Sequence, residues 1–109
     1  IILGAGRVGQ SVADSLVSER NDITVIDTDA ARLRDLESRF DLRGVVGNGI
    51  EPAVLAEAGA EDTDLLIACA AQDETNLVCC KVAQLVFKRA GLTPTDVRFV
   101  DAHFGMPHV

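Results

Sequence analysis

The chain has 109 residues, a length that fits one domain, and 48% of them are apolar, enough to bury a core. Its 17 acidic residues outnumber the 10 basic ones and leave a formal charge of −7, which argues against a nucleic-acid surface, because such surfaces need clustered Lys and Arg. The longest apolar run, Leu65 to Ala71, falls well short of the roughly 20 residues that span a bilayer, so direct membrane insertion is not expected.

In chain order, Ile1 to Leu3 is a β-branched run that reads as a strand, so a leader peptide is not expected in these residues. It enters a glycine loop, after which Val8, Val12 and Leu16, with Ala13 and Val17, mark one face of a helix. Asp22 to Asp27 reads as a second strand, and Asp29 is placed to cap a helix carrying Leu33, Leu36 and Phe40. Arg43 to Gly47 is a short third strand. Pro52 suits a first helical turn and Gly59 its C-terminal cap, which predicts a helix over Pro52 to Ala58. Asp64 to Ala70 is almost continuously apolar, as a strand buried on both faces must be. A long helix begins near Asp73, and after the turn-like Gly91 to Thr95 a fifth strand runs from Asp96 to Val100.

Strands alternating with helices predict a Rossmann-like doubly wound parallel sheet in a three-layer α/β/α sandwich. Right-handed crossovers give the strand order 3-2-1-4-5 and a crevice beside the first strand. No sixth strand is visible, and the whole of 1–109 reads as one nucleotide-binding domain, expected to be a fragment of a longer chain.

Gly4, Gly6 and Gly9 form a G-x-G-x-x-G frame between the first strand and the first helix. The first glycine permits the tight turn, the second admits a pyrophosphate and the third lets helix and sheet pack closely, while unpaired amides of the helix end take up phosphate charge. Asp27 follows 18 residues after Gly9, at the end of the second strand. There a carboxylate accepts ribose hydroxyls and repels the extra phosphate of NADP, and this context lifts the motif above a bare glycine turn. Arg7 reads equally well as a phosphate partner or a solvated arginine. Asn48 reads equally well as an adenine contact or a turn residue. Ala70 and Ala71 end the fourth strand at the crevice with only backbone groups and close approach to offer, and Arg98 either reaches the crevice or pairs with an acidic neighbour.

No catalytic or metal-binding set emerges. His103 and His108 lie beyond the last expected strand and read as solvated tail residues, and the acidic run Glu57 to Asp64 matches no calcium loop. Three cysteines without C-x-x-C spacing fit reduced thiols in a cytosolic setting: Cys69 reads as an inert buried thiol, and the adjacent Cys79 and Cys80 suit packing better than a disulfide. The Leu77 to Phe87 helix is apolar around more than one face, with Lys81, Gln84 and Lys88 on a narrow polar stripe, which predicts self-association.

Taken together, "ILGAGRVG", "NDITVIDTD", "RLRDLESRFDLRGVVGNG", "PAVLAEAGAEDTDLLIA" and "DETNLVCCKVAQLVF" resemble the RCK (KTN) regulatory domains of potassium transporters and channels, in their TrkA-N form. The resemblance covers about residues 1–88. It implies a non-catalytic domain that binds NAD or NADH, with ATP and ADP as alternative ligands. It also implies assembly into a homodimer or higher ring through the Leu77 to Phe87 helix, beneath a TrkH-like membrane potassium transporter subunit at the inner face of the cell membrane. By position, Gly4, Ala5, Gly6, Arg7 and Val8 would hold the phosphates, Asp27 the ribose, Ala70 and Ala71 would border the ligand, and Arg98 would reach the phosphates. The chain departs from the family pattern in having Ala70 and Ala71 where relatives carry Thr and Ser, and Val100 where they carry a second arginine. The competing expectations are the dinucleotide domain of a NAD-dependent oxidoreductase without its substrate domain, and an oligomerisation module with a vestigial loop.

Overall fold

A computed structural model describes residues 1–63, 65–89, 97–100 and 107–108, with side chains described up to residue 83 and at residue 85. The strands are β1 (Ile2–Leu3), β2 (Thr24–Asp27), β3 (Arg43–Val46), β4 (Leu66–Ala68), β5 (Val97–Val100) and β6 (Pro107–His108). The helices are α1 (Arg7–Val17), α2 (Ala30–Arg39), α3 (Pro52–Glu57) and α4 (Asp73–Arg89), with a 3-10 turn over Ala60–Asp62.

The sheet order is β3-β2-β1-β4-β5-β6. β1 to β5 pair in parallel, with Ile2 opposite Val25 on one side and Ile67 on the other. This is the expected doubly wound order, with one addition. β6 pairs antiparallel to β5, setting Phe99 opposite His108 and Val100 opposite Pro107. The sequence hides this strand because two residues carry no readable alternation.

The period-2 geometry of the strands sends neighbouring side chains to opposite layers. Ile2 and Val25 join Ala13, Leu33 and Leu36 beneath α1 and α2. Leu3 and Ile26 join Leu55, Cys79, Cys80 and Ala83 beneath α3 and α4. Asp29 caps α2 as its position predicts, its Oδ1 accepting from the Ala31 and Arg32 amides at 3.0 and 3.2 Å. Gly59 takes the left-handed conformation, φ +90°, one residue past the Ala58 cap of α3.

The chain leaves β1 toward β2 on one side and later returns to pair β4 on the other side of β1. The β1–α1 and β4–α4 links therefore diverge at the carboxyl end of the sheet and open a crevice between them.

Candidate functional site

That crevice holds a cleft of about 490 Å³. One wall is the glycine loop. Gly4 turns out of β1 with φ +109°, and a Cβ there would stand 2.9 Å from the Cys69 carbonyl oxygen. A Cβ on Gly9 would run into the Gly4 carbonyl oxygen, so α1 can dock on the loop only as glycine at this position. Gly6 is different: a Cβ there would meet nothing nearer than Arg32 Nη1 at 3.9 Å, and the space it leaves opens to the cleft.

Gly6 is the N-cap of α1, and no side chain caps this helix end. Among the described residues no backbone acceptor takes the amides of Gly6, Arg7 or Val8. These three residues line the cleft, so the positive end of the helix faces it without a protein partner.

Asp27 stands at the end of β2 on the same cleft. Its Oδ2 accepts from the Ala5 amide at 2.7 Å and its Oδ1 from the Asp29 amide at 2.7 Å. Each carboxylate oxygen keeps acceptor capacity beyond those bonds. The carboxylate thus ties the loop to β2 while remaining on the wall.

The opposite wall departs from expectation. Ala70 was expected to present its backbone groups, yet both are already taken. The Ala70 amide donates to Asn76 Oδ1 at 2.8 Å, and Asn76 Nδ2 donates to the Ala70 carbonyl at 3.1 Å. Asn76, fully buried on α4, completes the strand end in place of a neighbouring strand. This wall is formed by Ala70, Ala71, Gln72 and Thr75, with the Ala70 backbone already paired.

Of the predicted residues, Gly4, Gly6, Arg7, Val8, Asp27, Asn48, Ala70 and Ala71 are brought together on the cleft. Ala5 and Gly9 lie buried behind it, Ala5 having both its amide and its carbonyl engaged inside the protein. Asn48 serves the turn, since its Oδ1 accepts from the Ile50 amide at 3.1 Å. Arg98 is set opposite Ile67 in β5, and its side chain lies outside the described residues.

Sequence reading missed Arg32, on the first turn of α2, which lines the cleft with its Nε 3.5 Å from Asp29 Oδ2. It also missed Asn76, for which a signal existed: Asn76, Cys79, Cys80 and Ala83 share one helical stripe, and a lone polar residue on a buried stripe needs an internal partner. Cys69 borders the cleft, but burial pushes its thiol up to about 11, which keeps it protonated and unreactive near neutral pH.

The Leu77 to Phe87 segment splits. Cys79, Cys80 and Ala83 are buried against the sheet, while Leu77, Val78 and Leu85 are 54%, 45% and 61% exposed. Burial raises the Cys79 thiol to about 12, aided by neighbouring Cys80, which itself rises to about 11. Among the described residues no helix is long and apolar enough to cross a membrane, and no cluster of His, Cys, Asp or Glu could hold a metal ion.

The chain is similar to Trk system potassium uptake protein TrkA of Halomonas elongata, with 52% identity over 102 residues, which is 94% of this chain and 21% of that protein. The chain spans about a fifth of the length of that relative and of two others of the same description. Among solved structures, the TrkA-N domain of inner membrane protein ybaL from Escherichia coli superposes with a TM-score of 0.75 at 23% identity, covering 92% of this chain and 68% of that one. ChuY, an anaerobilin reductase from Escherichia coli O157:H7, superposes with a TM-score of 0.66 at 17% identity, covering 84% of this chain and 45% of that one. At such identities the two likenesses establish the fold and nothing finer. The family model of the TrkA-N domain matches residues 1–95, the part that carries the glycine loop, the Asp27 strand end and the Asn76-pinned wall, and the chain belongs to that family.

Proposed function

We propose that this chain is the nucleotide-sensing domain of a Trk-type potassium uptake protein. It binds NAD or NADH, with ATP and ADP as alternative ligands, and performs no chemistry on them. The observation that carries this reading is the polar asymmetry of the cleft: unpartnered α1 amides face it beside the Asp27 carboxylate, an arrangement matched to a phosphate and a ribose. The titratable side chains on the cleft among the described residues are Asp27, Arg7, Arg32 and the buried Cys69. These suit binding rather than proton or hydride transfer.

In this reading Arg7 and Arg98 answer the phosphates and Asp27 the ribose. Ligands that differ beyond the shared adenosine diphosphate stabilise different arrangements of paired domains. Only that difference in affinity can shift a membrane transporter partner between states. The exposed Leu77, Val78 and Leu85 support self-association, and the domain works at the cytoplasmic face of the membrane through its transporter.

The test is calorimetric titration with NADH, NAD, ATP and NADPH. We expect saturable binding of the first three and much weaker binding of NADPH. Asp27→Ala should weaken adenosine-containing ligands by about tenfold or more, because it removes a charged acceptor. Wild-type affinity in that variant would overturn the ribose assignment.

A further inference from the structure

We infer that Gln10 is a positioning residue of the glycine loop, acting through its side-chain amide to aim the Gly6 N–H into the cleft. The inference rests on the nucleotide reading above and assigns a role to a side chain that does not itself line the cleft.

Gln10 lies on the second turn of α1 and is half-buried. Its Nε2 donates to the Ala5 carbonyl oxygen at 3.0 Å. The preceding amide, that of Ala5, donates to Asp27 Oδ2 at 2.7 Å. The Ala5–Gly6 peptide is trans, and in a trans peptide the carbonyl and the amide point in opposite directions. Drawing the Ala5 carbonyl toward α1 therefore turns the Gly6 amide away from α1, on the side where Gly6 borders the cleft. If the peptide flipped, a carbonyl oxygen would replace that donor and meet a phosphate with like partial charge.

A glutamine amide can sit either way round, so something must choose. Gln10 Oε1 accepts from Arg39 Nη2 at 2.9 Å, and the same nitrogen donates to Asp35 Oδ2 at 2.8 Å. In the reversed orientation the Gln10 NH2 would face a guanidinium and its oxygen would face a carbonyl, two repulsive contacts. A chain of bonds from Asp35 through Arg39 and Gln10 thus runs from the outer surface of α2 to the loop peptide. The Arg39 end is exposed, where such bonds add little to stability. The Gln10–Ala5 bond itself is partly buried, so its loss also lowers stability, and the mark of a positioning role is a loss that falls on phosphate-bearing ligands alone.

The experiment compares the purified chain with Gln10→Met, which keeps length and helix preference and removes the donor. ADP and adenosine are titrated by amide NMR, and thermal unfolding is recorded in parallel. We expect the ADP Kd to rise about fivefold to tenfold, close to the net worth of one ordinary hydrogen bond, because the Gly6 amide is misaimed and not removed. Adenosine, which lacks the phosphates, should bind both proteins alike, and the unfolding midpoint should fall by about 4–8 °C for the Ala5 carbonyl left without its partner, with the chain still folded at about 25 °C. Arg39→Met, which frees the amide to rotate, should give a smaller rise with the same selectivity. An unchanged ADP Kd in Gln10→Met overturns the inference, as does an equal loss of ADP and adenosine, which would mark a merely structural role. A crystal structure of Gln10→Met reads the peptide without ligand, and an Ala5–Gly6 peptide that stays fixed there also overturns it. A wild-type chain that binds neither compound overturns the nucleotide reading, and this inference with it.

Discussion

The two walls of the cleft are built on opposite principles. On the β1–α1 side the backbone is held from behind, by Asp27 and Gln10 on Ala5, so that the amides at the start of α1 remain open to the cleft. On the β4–α4 side the backbone is closed off, because Asn76 takes both polar groups of Ala70. One wall therefore offers backbone amides and a carboxylate, and the other has its Ala70 backbone closed off and offers the side chains of Gln72 and Thr75. On the proposed function, the β1–α1 wall would take the adenosine diphosphate core of a ligand, and the α4 side would meet the part that differs between ligands. This division suits a sensor that accepts several nucleotides with one common part.

The comparison can be broken most severely at its hinge. Gly9→Ala drives a methyl into the Gly4 carbonyl and should cost about 3 kcal/mol or more, enough to unfold a marginal domain, as chemical denaturation would show. A folded variant with wild-type stability would mean that α1 can slide off the loop.

Asn76→Ala attacks the other wall. It strips the buried partner from the Ala70 amide and carbonyl and should cost about 2 kcal/mol by the same measurement. Cooling of the effect to a few tenths would show that water replaces Asn76 and that this wall is wetter than its packing implies.

Alkaline titration probes the layers beneath both walls. The thiols of Cys69, Cys79 and Cys80 are raised from 9.0 to about 11, 12 and 11 by burial. Below pH 9 they are protonated in both folded and unfolded chains. Above it the unfolded chain loses their protons first, so stability falls as pH rises from about 9 toward 11–12. Each thiol should remove about 1 kcal/mol between pH 9 and 10, and replacing all three by alanine should flatten that slope.

The smallest effect sharpens the contrast. Ala71→Ser adds a hydroxyl to the wall beside Gln72 and Thr75 and should change the ADP Kd by less than about twofold, since those neighbouring side chains already offer polar groups there. Tightening of about tenfold would show that they leave a polar group of the ligand unpaired.

Much of this was legible in the sequence. The G-x-G-x-x-G frame, Asp27 at the end of the second strand, the Asp29 cap and the strand order 3-2-1-4-5 all follow from spacing and residue type, and the structure carries each of them. The errors share one cause. Ala70 was read as offering free backbone, and Ala5 as a cleft residue, because a linear pattern does not show what a backbone group bonds to across the fold. Asn48 reads as either turn or ligand residue in the sequence, and in the structure its Oδ1 holds the turn at the Ile50 amide while the residue lines the cleft. β6 was unseen because two residues have no period.

The sequence by itself determined which elements form and which faces they bury, since apolar period, caps and turn residues are local properties with local physics. It also determined that a glycine loop and an acidic strand end would meet, because a right-handed crossover leaves them no other place. Only the tertiary structure decided which polar groups stay open. Gln10 lies five residues from Ala5 and Arg39 a further 29 along, Asn76 six from Ala70, and Asp27 22 from Ala5. Whether each bonds a partner or faces the cleft depends on side-chain positions fixed by packing, and satisfying one set of backbone groups while leaving another open is what turns this common fold into a site.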